Sequence, residues 1–261
     1  MFSVFSLVPG LAGCQPSGDS DLGAKGSAQV ETIHYAGTLP CADCEGIRTE
    51  LVLRREGPGE RATTYELSEM FLGRSNEFQK QNGTWTDERG SGNDPEAVVY
   101  RLIEAKRSFL RAGSWALRSL DGSGSIVRSP DNYTLVRVDL SPVGNPLSVT
   151  EKESGKMIRL AVGQELIAQL AANHTTGYGW TLGDTMSGAI ALPDPPTYAM
   201  NAPSATTDAT GAPRATGVAG EETWRFVGIE PGTQSLQFAY RRSWEKSVAA
   251  ARSVRFTVTV E

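Results

Sequence analysis

Asn173-His174-Thr175-Thr176-Gly177-Tyr178-Gly179-Trp180 decides how the second half of this chain is read. Small hydroxyl residues and two glycines are closed by two aromatics, the make-up of a protruding loop that drops into a strand. Gly177 and Gly179 let the backbone turn sharply and approach another surface closely. Thr175 and Thr176 add hydroxyls without bulk, while Tyr178 and Trp180 are types that anchor a loop or fill a core. Taken alone, the stretch is most simply a Gly-rich turn between strands. The residues around it change that reading.

Downstream and upstream, apolar residues recur at every second position. Leu166, Ala168 and Leu170 alternate, as do Trp224 and Phe226, then Leu236, Phe238 and Tyr240, then Val254, Phe256, Val258 and Val260. That period marks half-buried strands, and residues 147–261 are expected to form an immunoglobulin-like β-sandwich. Trp180 and Trp224 continue the alternation and are expected in its core. The Ala-, Thr- and Pro-rich stretch from Leu192 to Gly220 is expected to be a loop. Three segments flank strands in order: Asn173 to Tyr178 before the Trp180 strand, Gly217-Val218-Ala219-Gly220-Glu221-Glu222 before the Trp224 strand, and Arg241-Arg242-Ser243-Trp244-Glu245 after the Tyr240 strand. In an antiparallel sandwich such loops gather at one end.

The first half is also all-β. Tyr65 and Leu67, Val98, Tyr100 and Leu102, and Tyr133, Leu135 and Arg137 sit two apart, with Asn82-Gly83 and Asp121-Gly122 read as turns between strands. Residues 31–138 are therefore expected to form a small antiparallel barrel or sandwich. Asp139 to Pro146, with two prolines and a glycine, reads as the linker between the two halves. At 261 residues, two domains are the natural division.

Cys41-Ala42-Asp43-Cys44 lies in the first half. Ile47, Thr49, Leu51 and Leu53 alternate directly after it, so no helix N-terminus lowers a thiol pKa as in a dithiol redox centre. A zinc site needs four ligands, and the chain has two histidines and no second cysteine pair. A structural disulfide and a soft-ion site for Cu(I) both remain open.

These motifs carry two resemblances. Tyr35 to Thr49, with the cysteine pair inside it, and Asn132-Tyr133-Thr134-Leu135 resemble the amino-terminal domain of the NlpE copper-resistance lipoproteins. This implies a lipocalin-like barrel, an envelope location, and a link to copper or surface-stress sensing through Cys41 and Cys44. Beyond Val138 the chain departs from that family. The three loops of the second half resemble the chagasin family of papain-type cysteine protease inhibitors, whose loops read Asn-Pro-Thr-Thr-Gly-Tyr, Gly-x-Gly-Gly and Arg-Pro-Trp. The resemblance implies a papain-like cysteine protease as partner, bound by three loops inserted into its active-site cleft. The protease-binding positions it implies are Asn173, Thr175, Thr176, Gly177, Tyr178, Gly217, Gly220, Arg242 and Trp244. His174 and Ser243 stand where the family has proline, and Ala219 where it has glycine, so both proline-bearing loops lose a fixed φ.

The amino terminus adds an anchor. Met1 to Val8 is apolar, and Leu11-Ala12-Gly13-Cys14 resembles the lipobox of bacterial lipoproteins, which implies cleavage before Cys14 and lipidation of its sulfur. No Lys or Arg precedes the apolar run, which points either to a start upstream of Met1 or to a chance match. Residues 15–30 have the composition of a flexible tether, which favours the first. The residue after Cys14 is not Asp, which by the family's sorting rule implies the outer membrane. Net charge is only -5 and no basic stripe is interleaved with aromatics, so nucleic acid is not an expected partner. The second half has one histidine and no cysteine, so no nucleophile and base pair is at hand and enzymatic chemistry is not expected. No cofactor is required by this reading, with copper at the cysteine pair as the alternative function.

Overall fold

The computed structural model describes residues 30–57, 63–91, 94–129, 131–183, 188–201, 219–245 and 247–261. Cys14, Gly217, the apolar start and tether residues 15–29 lie outside them, while Val30, expected as the end of the tether, opens the first strand. Among the described residues no helix is long and apolar enough to cross a membrane.

The alternating runs of the first half become eight strands: β1 (Val30–Leu39), β2 (Gly46–Glu56), β3 (Thr63–Leu72), β4 (Gln79–Ser91), β5 (Asp94–Leu102), β6 (Arg107–Ala112), β7 (Ala116–Ser119) and β8 (Thr134–Arg137). Each pairs antiparallel with the next, and β8 returns to β1 with Tyr35 opposite Arg137, closing a barrel. Its inward positions, among them Leu51, Leu53, Tyr65, Leu67, Leu102, Phe109 and Leu135, pack into one apolar interior. Asp121-Gly122 does turn, with the Asp121 carboxylate accepting the N–H groups of Ser123 and Ser125. Asn82-Gly83 does not. Both lie inside β4, opposite Glu66 and Tyr65. Glycine is needed there because a Cβ would run into the Glu104 carboxylate and the Tyr65 ring, while Glu104 accepts the N–H of Thr84.

The second half packs two sheets face to face. Its strands are β9 (Leu147–Val149), β10 (Met157–Leu160), β11 (Glu165–Ala172), β12 (Tyr178–Leu182), β13 (Ile190–Ala191), β14 (Thr197–Met200), β15 (Gly220–Gly228), β16 (Gly232–Arg242) and β17 (Arg252–Val260). One sheet runs β10-β17-β16-β12 and the other β13-β15-β11-β9, with β14 also along β15. The alternating residues of β11, β15, β16 and β17 meet between the sheets. Phe238 lies at their centre, edge-on to Trp224, Phe226 and Phe256 at 5.2, 6.2 and 6.1 Å, an arrangement that aromatic quadrupoles favour. Trp180 and Trp224 are buried as the alternation requires. Two pairings depart from a purely antiparallel sandwich: β9 with β11 and β10 with β17 are parallel. The stretch expected as loop from Leu192 onward contains β14, and residues 202–218 lie outside the described residues.

A third apolar cluster joins the two halves. Ala112, Trp115, Ala116 and Val136 of the barrel meet Ala191 and Ile229 of the sandwich. Three glycines permit the approach: a Cβ on Gly163 would run into the Trp115 ring, one on Gly113 would meet the Ile229 carbonyl, and one on Gly37 the Pro193 carbonyl. Polar contacts ring the cluster. The Thr38 N–H donates to the Pro193 carbonyl at 2.7 Å, its hydroxyl reaches Asp194 at 3.0 Å, and buried Arg118 binds Glu230 at 2.6 Å and the Gly188 carbonyl.

Candidate functional site: three loops at one end of the sandwich

Strand register brings the three loops together. Ala172, the last residue of β11, pairs with Gly220, the first of β15. Tyr178, the first residue of β12, pairs with Arg242, the last of β16. The first loop leaves one sheet and enters the other, the second feeds β15 and the third leaves β16, so all three share one end.

The first loop is a single 3-10 turn, His174–Thr176, and each residue of the motif has a part in it. The Asn173 side chain caps the turn by accepting the N–H and hydroxyl of Thr175, replacing partners that a helix start lacks. The Asn173 N–H is held by the Tyr240 hydroxyl at 2.7 Å, and the Thr176 hydroxyl donates to the Asn173 carbonyl at 2.7 Å. Gly177 ends the turn at φ +78°, a left-handed conformation that glycine adopts without penalty. Thr175 and Thr176 are left exposed at the tip.

The third loop closes over the first. Arg242 donates to the Thr176 carbonyl at 3.2 Å, lies 4.7 Å over the Tyr178 ring and binds Glu245 at 3.1 Å. Trp244 rests on Gly177, so close that a Cβ there would run into its ring. Even so, 66% of Trp244 is exposed. A large aromatic ring held at a loop tip with most of its surface in water is the kind of group that anchors a protein interface.

The first loop is also tied to β15. Glu222, on β15 two residues after Gly220, is 3% exposed and accepts the Trp180 N–H at 2.9 Å, the Trp224 indole N–H at 3.2 Å and His174 Nε2 at 2.8 Å. The other face of His174 stacks on Tyr198 of β14, ring centres 3.8 Å apart. Thus Asn173, Thr175, Thr176, Gly177, Tyr178, Arg242 and Trp244 form one continuous edge, whereas Gly220, expected to belong to it, is buried in β15 between Ala172 and Met200. Tyr198 was not anticipated, and Glu222, expected in the loop before the Trp224 strand and given no role there, lies within β15. The signal for Glu222 was available: Gly220, Glu222, Trp224 and Phe226 share the inward face of β15, and a charge on an otherwise apolar face calls for an explanation.

Cys41 and Cys44 stand apart from this edge, in the connection from β1 to β2, and are joined in a disulfide. Asp43 between them pairs with Arg74 at 2.7 Å. Cys41 also borders a cavity of about 450 Å³ whose far wall is Trp180, Thr181 and Leu182 of β12.

The fold is a β-barrel docked to a β-sandwich that gathers loop segments at one end. Residues 159–260 match the model of the chagasin family peptidase inhibitors (I42), and residues 35–130 match that of the NlpE N-terminal domain. The chain is thus an NlpE-like segment fused to a chagasin-like one. It is 30% identical over 154 residues to lipoprotein NlpE of Escherichia coli strain K12, covering 57% of this chain and 58% of that protein's length. It is 26% identical over 115 residues to amoebiasin-2 of Entamoeba histolytica, covering 43% of this chain and 83% of the relative. Among solved structures, the cysteine protease inhibitor EhICP2 from Entamoeba histolytica aligns at 22% identity and a TM-score of 0.38, over 46% of this chain and all of that one. PbICP-C, solved in complex with falcipain-2, aligns at 19% identity and a TM-score of 0.28, over 45% of this chain and all of PbICP-C.

Proposed function

We propose that this protein is a lipid-anchored inhibitor of papain-like cysteine proteases, held in a bacterial envelope at the outer membrane and acting through the loop edge of its sandwich. The observation that carries the reading is the edge itself: the first and third loops, from separate parts of the sequence, bonded to each other, with Thr175, Thr176 and Trp244 exposed at its tip. Inhibition is by occlusion. The narrow first loop enters the cleft beside the catalytic cysteine, and the flanking loops grip its walls. Nothing in the mechanism asks for chemistry by the inhibitor.

The decisive experiment is titration of papain with the full chain. Trp244→Ala is expected to weaken inhibition about thirtyfold, about 2 kcal/mol, by removing the anchor. No inhibition of any papain-type enzyme at micromolar concentration would end the reading. The anchor rests on the Leu11 to Cys14 sequence and the likeness to NlpE. Expressed behind a complete export signal, the protein is expected in the membrane fraction, and Cys14→Ser in the soluble one; an unchanged distribution refutes lipidation.

A second reading, Cu(I) binding in the barrel, is supported by the sulfurs of Cys41 and Cys44 and an Asp43 oxygen lying within 4.8 Å of one another. The disulfide form does not fit a metal, because both sulfurs are committed; only the reduced pair offers two thiolates. The reduced full chain is then expected to take Cu(I) from a competing chelator, and the Cys41→Ser, Cys44→Ser double variant to lose that ability while inhibiting papain within about threefold of the parent. Equal copper uptake by both forms removes this reading.

A further inference from the structure

Burying the Glu222 carboxylate is costly, and a hydrocarbon side chain of similar volume is often no worse for stability. Its surroundings show what the charge does instead. The three donors that converge on it come from three places: the Trp180 N–H from β12 in the opposite sheet, the indole N–H from Trp224 on its own strand, and Nε2 from His174 in the turn of the first loop. A carboxylate receiving two other N–H groups acts as acceptor, so His174 carries its proton on Nε2. The adjoining glycines leave room for this convergence. A Cβ on Gly179 would press to 3.3 Å from the Glu222 oxygen, and one on Gly220 would run into Tyr198, the ring on which His174 stacks.

We propose that Glu222 is a positioning residue: from β15 it holds His174 and so fixes the first loop's turn against that strand. This deepens, and rests on, the reading of the loop edge as an inhibitory surface. It explains how position 174 does without the ring constraint of a proline. The backbone there is set from outside, by a hydrogen bond on one side of the imidazole and a stacked tyrosine on the other. Three donors on two oxygens also make the requirement specific. A glutamine in place of Glu222 has one acceptor oxygen and turns an NH₂ group toward at least one of the donors.

The test uses the full chain and four variants, with hydrogen exchange and papain inhibition measured on each. Glu222→Gln is expected to weaken inhibition about thirtyfold and to speed amide exchange in residues 173–180 about tenfold, with exchange in β16 and β17 unchanged. His174→Leu is expected to lose about tenfold in inhibition, and His174→Gln, whose amide can still donate, to recover most of that. The Glu222→Gln, His174→Leu double variant should be no weaker than Glu222→Gln alone, because both act through one contact. First-loop exchange at the parent rate in Glu222→Gln overturns the proposal, as does a His174→Gln protein as weak as His174→Leu. If Glu222→Gln does not fold, the two His174 variants still decide, since that side chain is 44% exposed. If the parent itself does not inhibit papain, the functional reading fails, while the exchange measurements still test whether Glu222 holds the loop.

Discussion

Gly177→Trp will lower papain inhibition a few hundredfold and leave the sandwich folded. Two effects add. Any L side chain at φ +78° is strained by about 1–2 kcal/mol. A side chain there also displaces Trp244, whose ring occupies that space, at a further cost of about 2 kcal/mol in binding. Their sum, about 3–4 kcal/mol, is two to three orders of magnitude in affinity by the usual conversion. The damage stays at the edge because Gly177 lies outside the apolar core. Inhibition constants and a melting curve check both halves of the statement. A variant that inhibits within tenfold of the parent would mean that neither Gly177 nor the Trp244 resting on it contributes to binding.

The second large effect concerns the joint between barrel and sandwich. Gly163 has φ +85°, and the indole of Trp115 lies where its Cβ would be. Gly163→Val combines left-handed strain in a β-branched residue with overpacking against a ring wedged between the halves, about 3 kcal/mol in all. For a chain of this size that is a fall in melting temperature of about 10 °C. The barrel and the sandwich are then expected to melt as two transitions rather than one. Inhibition should stay within about threefold, because Gly163 is remote from the loops in the register of the sheets. Calorimetry would show it, and an unshifted single transition would mean that the joint contributes little to stability.

Both predictions depend on features that sequence reading captures unequally. The loops were legible because their chemistry is local: a capping Asn, two Thr and a Gly at the end of a turn state their conformation in a handful of residues. That they share one end was expected from strand order, and the register Ala172 to Gly220 and Tyr178 to Arg242 produces it. The cores were legible for the same reason, since period-two burial needs only neighbouring residues. Asn82-Gly83 misled because the glycine serves a side chain distant in sequence, the Glu104 carboxylate, and not a turn. β14 was missed because Thr197–Met200 is a largely exposed strand with little apolar alternation. The joint was illegible for a deeper reason. Trp115, Gly113 and Gly163 acquire their meaning only when two separately folded surfaces meet, and no local pattern encodes that meeting. The donors that converge on Glu222 are hidden in the same way.

The shape of the first loop bears on the fate of the inhibitor itself. A protease cleaves a chain that it can draw out straight, with peptide groups on both sides of the cut lying along its own backbone. His174–Thr176 offers a knuckle instead. The Asn173 cap and the Gly177 N–H tie its backbone groups inward, and the Arg242 guanidinium grips the Thr176 carbonyl from outside. To become a substrate, the loop would have to unbend and release all of these bonds together. Under the proposed function, an enzyme closing on this edge would hold a peptide it cannot straighten, and its turnover would stall with the chain still whole.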